Sequence, residues 1–331
     1  MRLATFNLES FGEGAFDLRA LTPRIAALRP RLSELAADIL CLQEVNAQKD
    51  HPHEERELSA LEALLHSTPY AGFSRAVTPR PESSSLAERH NIVVLSRFPI
   101  LSTKVCLAEH VALPLWQPST ASPPATSPSP VAFDRPFLHV ELDIGQPRPL
   151  HVFAVHLRAP LAAPIPGGKT SAQVWNSTPS WAEGYFLAAM KRVGQALDLR
   201  LAVDEIFEKD EKALIAVTGD FNAAAPQSAL RIVEADPDDT GNRALAYRRL
   251  HQMESVVPAA RRHTVLHRGK GHTLDHILVS RELLLCADGI HIFNEDLRDE
   301  VRDRDTERGS FHAALLASFD LARLRGPRET A

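Results

Sequence analysis

The feature that most constrains this chain is a series of short apolar runs, each carrying or ending in a polar residue. Residues 3–8 enclose Asn7 and lead into Glu9. Residues 39–42 run into Gln43-Glu44, and residues 91–95 into Ser96-Arg97. Residues 151–157 contain His156, and residues 214–217 run into Thr218-Gly219-Asp220. Residues 274–279 contain Asp275, and residues 313–319 follow His312 directly. Runs of this length, bounded by turn residues, read as strands buried on both faces, although periodicity by itself leaves short buried helices open.

Helical stretches lie between them. Residues 24–37 have apolar side chains at helical spacing, and Pro30 is expected to kink or divide that helix. Residues 58–65 are a short second candidate. Residues 182–208 are the longest: Phe186, Met190, Val193, Leu197 and Leu201 step by three or four and predict the buried stripe. Lys191, Arg192 and Arg200 lie largely off that stripe and read as its solvated face, unless Arg192 and Arg200 reach a phosphate. Strands interspersed with helices imply a layered α/β domain. Two segments read as irregular. Residues 118–130 are rich in Pro, Ser, Thr and Ala and suit an exposed, poorly ordered loop. Residues 159–181 follow His156, so Lys169, Trp175 and Trp181 there could meet substrate or simply pack. Neither segment marks a boundary. One domain over residues 1–322 is expected, with loops at 116–130 and 159–181 and a tail at 323–331.

Charge and composition narrow the function. A 44% hydrophobic chain of 331 residues has ample material for a core. Its net charge of -5 lacks the basic excess of a dedicated nucleic-acid binder, so any such contact must rest on a local patch. The one basic cluster, Arg261-Arg262-His263 with His267-Arg268-Gly269-Lys270, could steer an anionic substrate or be a solvated loop. Cys41, Cys106 and Cys286 are far apart and form no CxxC pair, which argues for buried free thiols over disulfides or a thiolate zinc site. His51-Pro52-His53, followed by Glu54 and Glu55, has no matching second pair and is not read as a metal cluster. No apolar run approaches a membrane span, and residues 1–7 show no signal-peptide pattern; a cytoplasmic protein, assumed monomeric, is the default expectation.

The polar strand ends carry the chemistry. Asp220 and Asn222, two apart in extended chain, point the same way and could hold a nucleophilic water and a phosphoryl oxygen; an Asx turn is the ordinary alternative. Glu44 at a strand end could serve a hard cation such as Mg²⁺, or be a solvated charge. Asn7 and Glu9 have the same form. His156 lies in a buried run, where satisfied core histidines are common. Asp275 and His312 suit a carboxylate that orients an imidazole.

Taken together and in order, Phe6-Asn7-Leu8-Glu9, Leu42-Gln43-Glu44, Leu95-Ser96-Arg97-Phe98-Pro99-Ile100, Val155-His156-Leu157, Gly219-Asp220-Phe221-Asn222, Leu274-Asp275-His276-Ile277-Leu278-Val279-Ser280 and Ser310-Phe311-His312 resemble the motifs of the endonuclease/exonuclease/phosphatase superfamily. The resemblance runs from residue 3 to about 319. It implies a four-layered α/β sandwich, two mixed sheets face to face with helices outside, and divalent-metal-dependent hydrolysis of a phosphoester. It assigns Mg²⁺ (or Mn²⁺) to Glu44, with Glu9 as helper, and phosphate or water to Asn7 and Asn222. His156 would donate to a phosphoryl oxygen, Asp275 would orient His312, and Asp220 would bind and help deprotonate the water. The general base stays open between Asp220 and the Asp275–His312 pair. Arg89-His90-Asn91, which opens the Ser96-Arg97 strand, is a candidate edge of the site, with Arg89 as a candidate substrate contact. Phe311 stands where the superfamily usually has Asp, and Ala313-Ala314 replace the following x-Pro. A phosphodiesterase or nuclease is the first expectation. A phosphomonoesterase or lipid phosphodiesterase is the second, and a silent binding protein, motivated by Phe311, the third.

Overall fold

The computed structural model describes residues 1–49, 55–80, 85–303 and 309–324; the His51-Pro52-His53-Glu54 segment lies outside them. In chain order the strands begin with β1 (Arg2–Phe11), β2 (Ile39–Val45), β3 (Ser74–Val77), β4 (Asn91–Ser96), β5 (Ile100–Cys106), β6 (Leu115–Trp116) and β7 (Ser129–Pro130). They continue with β8 (Phe137–Leu142), β9 (Leu150–His156), β10 (Lys169–Ser171), β11 (Val174–Trp175), β12 (Leu214–Asp220) and β13 (Leu250–Gln252). The last are β14 (Val265–His267), β15 (Lys270–His272), β16 (Asp275–Ser280), β17 (Ala287–Phe293) and β18 (Ala314–Phe319). The helices are α1 (Leu18–Leu35), α2 (Ser59–Leu65), α3 (Thr178–Lys209), α4 (Ser228–Glu234), α5 (Pro237–Thr240) and α6 (Arg281–Leu284).

Two six-stranded sheets dominate. One has the order β17-β18-β1-β2-β4-β3 and the other β13-β16-β12-β9-β8-β5. Both are mixed, because β1 runs parallel to β2 and β12 runs parallel to β9. Strand alternation explains the layers. Leu3, Ile39 and Cys41 of the first sheet meet Val152, Ala154, Leu214, Ala216, Ile277 and Val279 of the second in the core between them. The other parity faces helices: Ala4, Phe6, Leu40 and Leu42 pack under α1 and α2, and Ile215, Val217 and Leu278 pack under α3 and α4. The result is the four-layered α/β sandwich.

Several local expectations are corrected. α1 is one helix that contains both Pro23 and Pro30, so Pro30 does not divide it; Pro30 sits on the exposed face. The stripe of α3 is reversed. Phe186, Leu197 and Leu201 are exposed, whereas Arg192, Gln195, Asp198 and Arg200 are buried. Those polar groups are inside because each has a specific partner. Arg200 donates to the carbonyls of Val233 and Arg248, and Asp198 accepts from the His110 N–H. Residues 116–130 are tied down rather than loose. Glu183 of α3 accepts from Trp116 Nε1 and from the backbone N–H groups of Ser119 and Thr120. Ser122 N donates to Pro166 O, which joins this loop to the 159–181 segment. All three cysteines are buried and free.

Candidate active site

The same alternation that fills the inter-sheet core also builds the site. At one end of that layer the inward positions turn polar: Asn7 on β1, His156 on β9, Asp220 on β12 and Asp275 on β16 are all buried. The register aligns them, with Asp220 opposite His156 on one side and opposite Asp275 on the other. Asn7 then bridges the sheets. Its Nδ2 donates to Asp220 Oδ2 (3.1 Å) across the interface and to Glu44 Oε1 (3.2 Å) on its own sheet.

Glu44 and Glu9 reach the cluster through irregular backbone. Glu44 shares strand parity with Leu40 and Leu42, which would place it under the helices. A left-handed backbone (φ +59°) turns it into the site instead. The β1–β2 register shifts between Asn7 and Phe11, where Glu9 (φ +55°) and Ser10 (φ +51°) form the bulge. Ser10 N and Oγ both donate to Glu44 Oε2, at 2.9 and 3.1 Å. Asn222 also has left-handed backbone (φ +49°); it folds back so that its N–H donates to Asp220 Oδ1 (2.8 Å) and its Nδ2 to Leu157 O (3.0 Å). His312 Nδ1 is 2.8 Å from Asp275 Oδ2, and its Nε2 is 3.9 Å from Glu9 Oε2.

Two more side chains join this group: Arg135, which no sequence motif marks, and His90 of the Arg89-His90-Asn91 segment expected at the edge of the site. Arg135, just before β8, donates to His156 Nε2 and to Leu157 O. A guanidinium has no acceptor, so the His156 nitrogen that faces the site offers a lone pair here rather than a proton. His90 places Nδ1 3.7 Å from Glu44 Oε2. The sequence reading singled out its neighbour Arg89, but the structure pairs Arg89 with Glu13 at the exposed rim, outside the cluster. Lys169 lies over the Trp175 ring, Trp175 packs against Gly184 of α3, and Trp181 is exposed beside Tyr185. Of the basic cluster, Arg261 pairs with Glu295, and His267 lies 2.6 Å from Glu300. Its ribbon borders the site nonetheless, through the Val265–His312 bridge. Phe311 is buried, with the Arg298 guanidinium 4.8 Å from its ring centroid.

Electrostatics separate the groups. Burial and the Asp275 charge push Asp220 up to about 7. Burial alone would lower His312, but the Asp275 charge and hydrogen bond outweigh it and hold the imidazole well above its usual value. Burial and Arg135 keep His156 neutral. Burial would raise Glu44, yet His90, His312 and the Asn7 amide pull it below the usual carboxylate value. Two sets of three, Glu44 with His90 and His156, and Asp220 with Asp275 and His312, each offer ligand atoms within 4.8 Å of one another. Asp275 Oδ1 and His90 Nδ1 are buried without a hydrogen-bond partner. Carboxylate and imidazole donors with unused lone pairs fit a divalent cation.

The raised Asp220 and His312 values carry a pH signature. Both groups hold a proton more tightly folded than unfolded. The stability they contribute is therefore complete at low pH and is lost as pH rises through the folded-state values. Metal-stripped protein should melt at a lower temperature at about pH 8 than at about pH 5.5, and Asp220→Asn should flatten that slope. An unchanged slope in the variant would remove Asp220 from the account.

A mixed-sheet sandwich that ends in paired asparagines, carboxylates and imidazoles is the scaffold of a metal-dependent phosphoesterase. The chain belongs to the Endonuclease/Exonuclease/phosphatase family, whose sequence profile matches residues 4–310. Solved structures share the fold. TDP2 from Caenorhabditis elegans matches at 14% identity and a TM-score of 0.55, covering 97% of this chain and 74% of that one. The 3′ phosphatase NExo from Neisseria, bound to a product DNA hairpin, matches at 18% identity and a TM-score of 0.52, covering 97% and 99%. An AP endonuclease from Archaeoglobus fulgidus matches at 18% identity and a TM-score of 0.53, again covering 97% and 99%. At these identities the likeness is one of fold. No curated protein matches the sequence. Among the described residues, no helix is long and apolar enough to cross a membrane.

Proposed function

We propose that this chain is a phosphodiesterase, in which a water made nucleophilic beside Asp220 attacks phosphorus in line. The observation that carries the reading is one buried cluster in which Asp220 stands beside the hydrogen-bonded Asp275–His312 pair, with the Asp220 carboxyl pushed up to about 7 and the imidazole held well above its usual value. A carboxyl poised near neutrality can accept the water's proton, while an imidazolium held by Asp275 can donate to a phosphoryl oxygen. This assigns the base to Asp220 and leaves the Asp275–His312 pair as acid and charge stabiliser. Asn7 and Asn222 hold the Asp220 carboxylate with their amide N–H groups and so fix the direction of proton transfer. Arg135 supplies N–H donors for phosphate oxygens. Glu9 provides a carboxylate beside His312 where Phe311 does not. A divalent cation, Mg²⁺ or Mn²⁺ by family, would be held by Glu44 with Glu9 nearby, and when bound it supplies Lewis-acid stabilisation of charge on the phosphoryl oxygens. Nucleic acids, and other phosphodiesters that an acidic protein can approach, are the substrates to screen.

Paired chromogenic phosphodiester and phosphomonoester substrates, assayed with Mg²⁺, Mn²⁺ or chelator and with Asp220→Ala as blank, test the reading. Diester cleavage that needs both metal and Asp220 is the expected result. Cleavage of the monoester alone would replace the diesterase with a phosphatase, and silence on both would favour a binding role. A second result is expected from the dyad. His312→Ala and Asp275→Asn should each slow turnover by about 10²-fold or more, and the double variant by little more than either. Multiplicative losses would show that the two act separately.

A further inference from the structure

We infer that Glu44, His90 and His156 form a mixed oxygen–nitrogen cation site that selects a divalent transition ion, of the Mn²⁺, Co²⁺ or Zn²⁺ kind, over Mg²⁺. This rests on the proposal that Glu44 holds the hydrolytic cation, and goes beyond it in naming nitrogen ligands and the class of ion they choose.

Geometry is the first support. Glu44 Oε1 lies 3.5 Å from His156 Nε2, and Glu44 Oε2 lies 3.7 Å from His90 Nδ1. One donor atom from each of the three residues falls within 4.8 Å of the others. Metal–nitrogen and metal–oxygen bonds of about 2.0–2.2 Å bring neighbouring donors to about 3 Å, so shifts on the order of 1 Å close the site. The two rings already stand edge to face, with centroids 5.8 Å apart.

The second support is that His90 is placed with effort. Its backbone is left-handed (φ +62°), an arrangement that costs a non-glycine residue energy and persists only where the surroundings enforce it. Here they do. The His90 N–H donates to the buried Asn46 Oδ1 (3.0 Å). Asn91 Nδ2 donates to Val45 O and to Ala87 O, and Asn91 Oδ1 accepts from Ala87 N. These bonds clamp the turn before β4 to the end of β2, beside Glu44. The product of this clamp is an imidazole whose Nδ1 is buried yet has no hydrogen-bond partner.

Ligand chemistry supplies the selectivity. Mg²⁺ prefers oxygen donors, keeps several waters and sheds them reluctantly. Imidazole nitrogen suits the later first-row ions, whose affinity for such donors rises along the series. His156 Nε2 already offers its lone pair inward, and the group that accepts it now is the Arg135 guanidinium, itself a cation. On metal binding Arg135 would release that lone pair and keep its bond to Leu157 O (2.8 Å), which frees N–H donors for the substrate.

The test is of binding, not turnover. Chelator-stripped full-length protein is titrated with Co²⁺ and followed by its visible absorption bands. The Mn²⁺-loaded protein is examined by pulsed electron paramagnetic resonance for imidazole nitrogen couplings, and Mg²⁺ affinity is read by competition. His90→Asn is the first variant, because asparagine tolerates the left-handed backbone, and His90→Ala is the second. Both should weaken Co²⁺ binding about tenfold or more and reduce the nitrogen couplings, with Mg²⁺ affinity almost unchanged. Melting curves in chelator confirm that each variant is folded. Wild-type Co²⁺ affinity with undiminished couplings in either folded variant would overturn the inference, as would a wild type that prefers Mg²⁺ to Mn²⁺. Glu44→Gln separates the two layers of the argument. It should lose all three ions. If it keeps them, Glu44 is not the cation ligand and both readings fall; if it loses them while the His90 variants do not, only the nitrogen site falls.

Discussion

Asp220→Asn is expected to slow phosphoester hydrolysis by about 10³-fold or more while the protein remains folded. The rate loss follows from position. Among the described residues Asp220 is the carboxylate that touches both asparagines, and it lies opposite His156 and Asp275 on the strands either side. An amide of the same shape cannot take the proton from water. The folding outcome balances two effects. The variant no longer has to bury a charge, which helps above about pH 7, the point to which the site has pushed this carboxyl. Against that, Oδ2 accepts from Asn7 Nδ2 and Asn222 Nδ2, and Oδ1 from Asn222 N. Either rotamer of the new amide sets an NH₂ group against one of those donors. The net change should therefore be within about 1–2 kcal/mol. Steady-state rates at saturating metal, with a urea melt of the same preparation, decide it. A variant within about tenfold of wild-type turnover would move the base to the Asp275–His312 pair.

Gly219→Ala should have the largest effect on stability, about 3 kcal/mol or more, and should carry activity down with it. Gly219 pairs with Val155 in the parallel β12–β9 ladder. Its φ of +141° is one that residues with a side chain rarely adopt, and an added Cβ would lie 2.0 Å from Val155 O, 2.9 Å from Val155 C and 3.0 Å from Val155 N. Every obstacle is backbone of the central strands, so no side-chain rotation relieves the clash. The strands must part, and the next pair along the ladder is Asp220 with His156. A urea midpoint like that of the wild type would show that the strand approach is looser than described.

The strand ends were legible because a two-residue period, once anchored by Leu214 and Ala216 in the core, delivers Asp220 to the same layer; Val152 and Ala154 do so for His156. The α3 face was not legible. Its sequence stripe of Phe186, Leu197 and Leu201 is a valid helical pattern, but the buried face is set by long-range bonds. Gln195 accepts from Arg158 N and donates to Arg135 O, and Arg200 reaches Val233 and Arg248. No local period records such partners. Glu44 was identified as a strand-end carboxylate, while the left-handed turn that aims it inward leaves no mark on a sequence without glycine there. Arg135 and His90 come from connections outside the motifs. For His90 the sequence signal is its place in Arg89-His90-Asn91, at the opening of the strand that runs into Ser96-Arg97.

β1 lies between β2 and β18, and Met1 itself donates to Phe319 O. The strand that carries Asn7 therefore keeps one bare edge until residues 314–319 arrive, even though it is the first strand in the sequence. Pairings of such separation form late and slowly, and an unpaired edge rich in apolar side chains invites association with other chains while it waits. A ribosome that adds about 5–20 residues per second prolongs that interval, so the sheet that holds Asn7 and Glu44 keeps an open edge until the segment 314–319 is made.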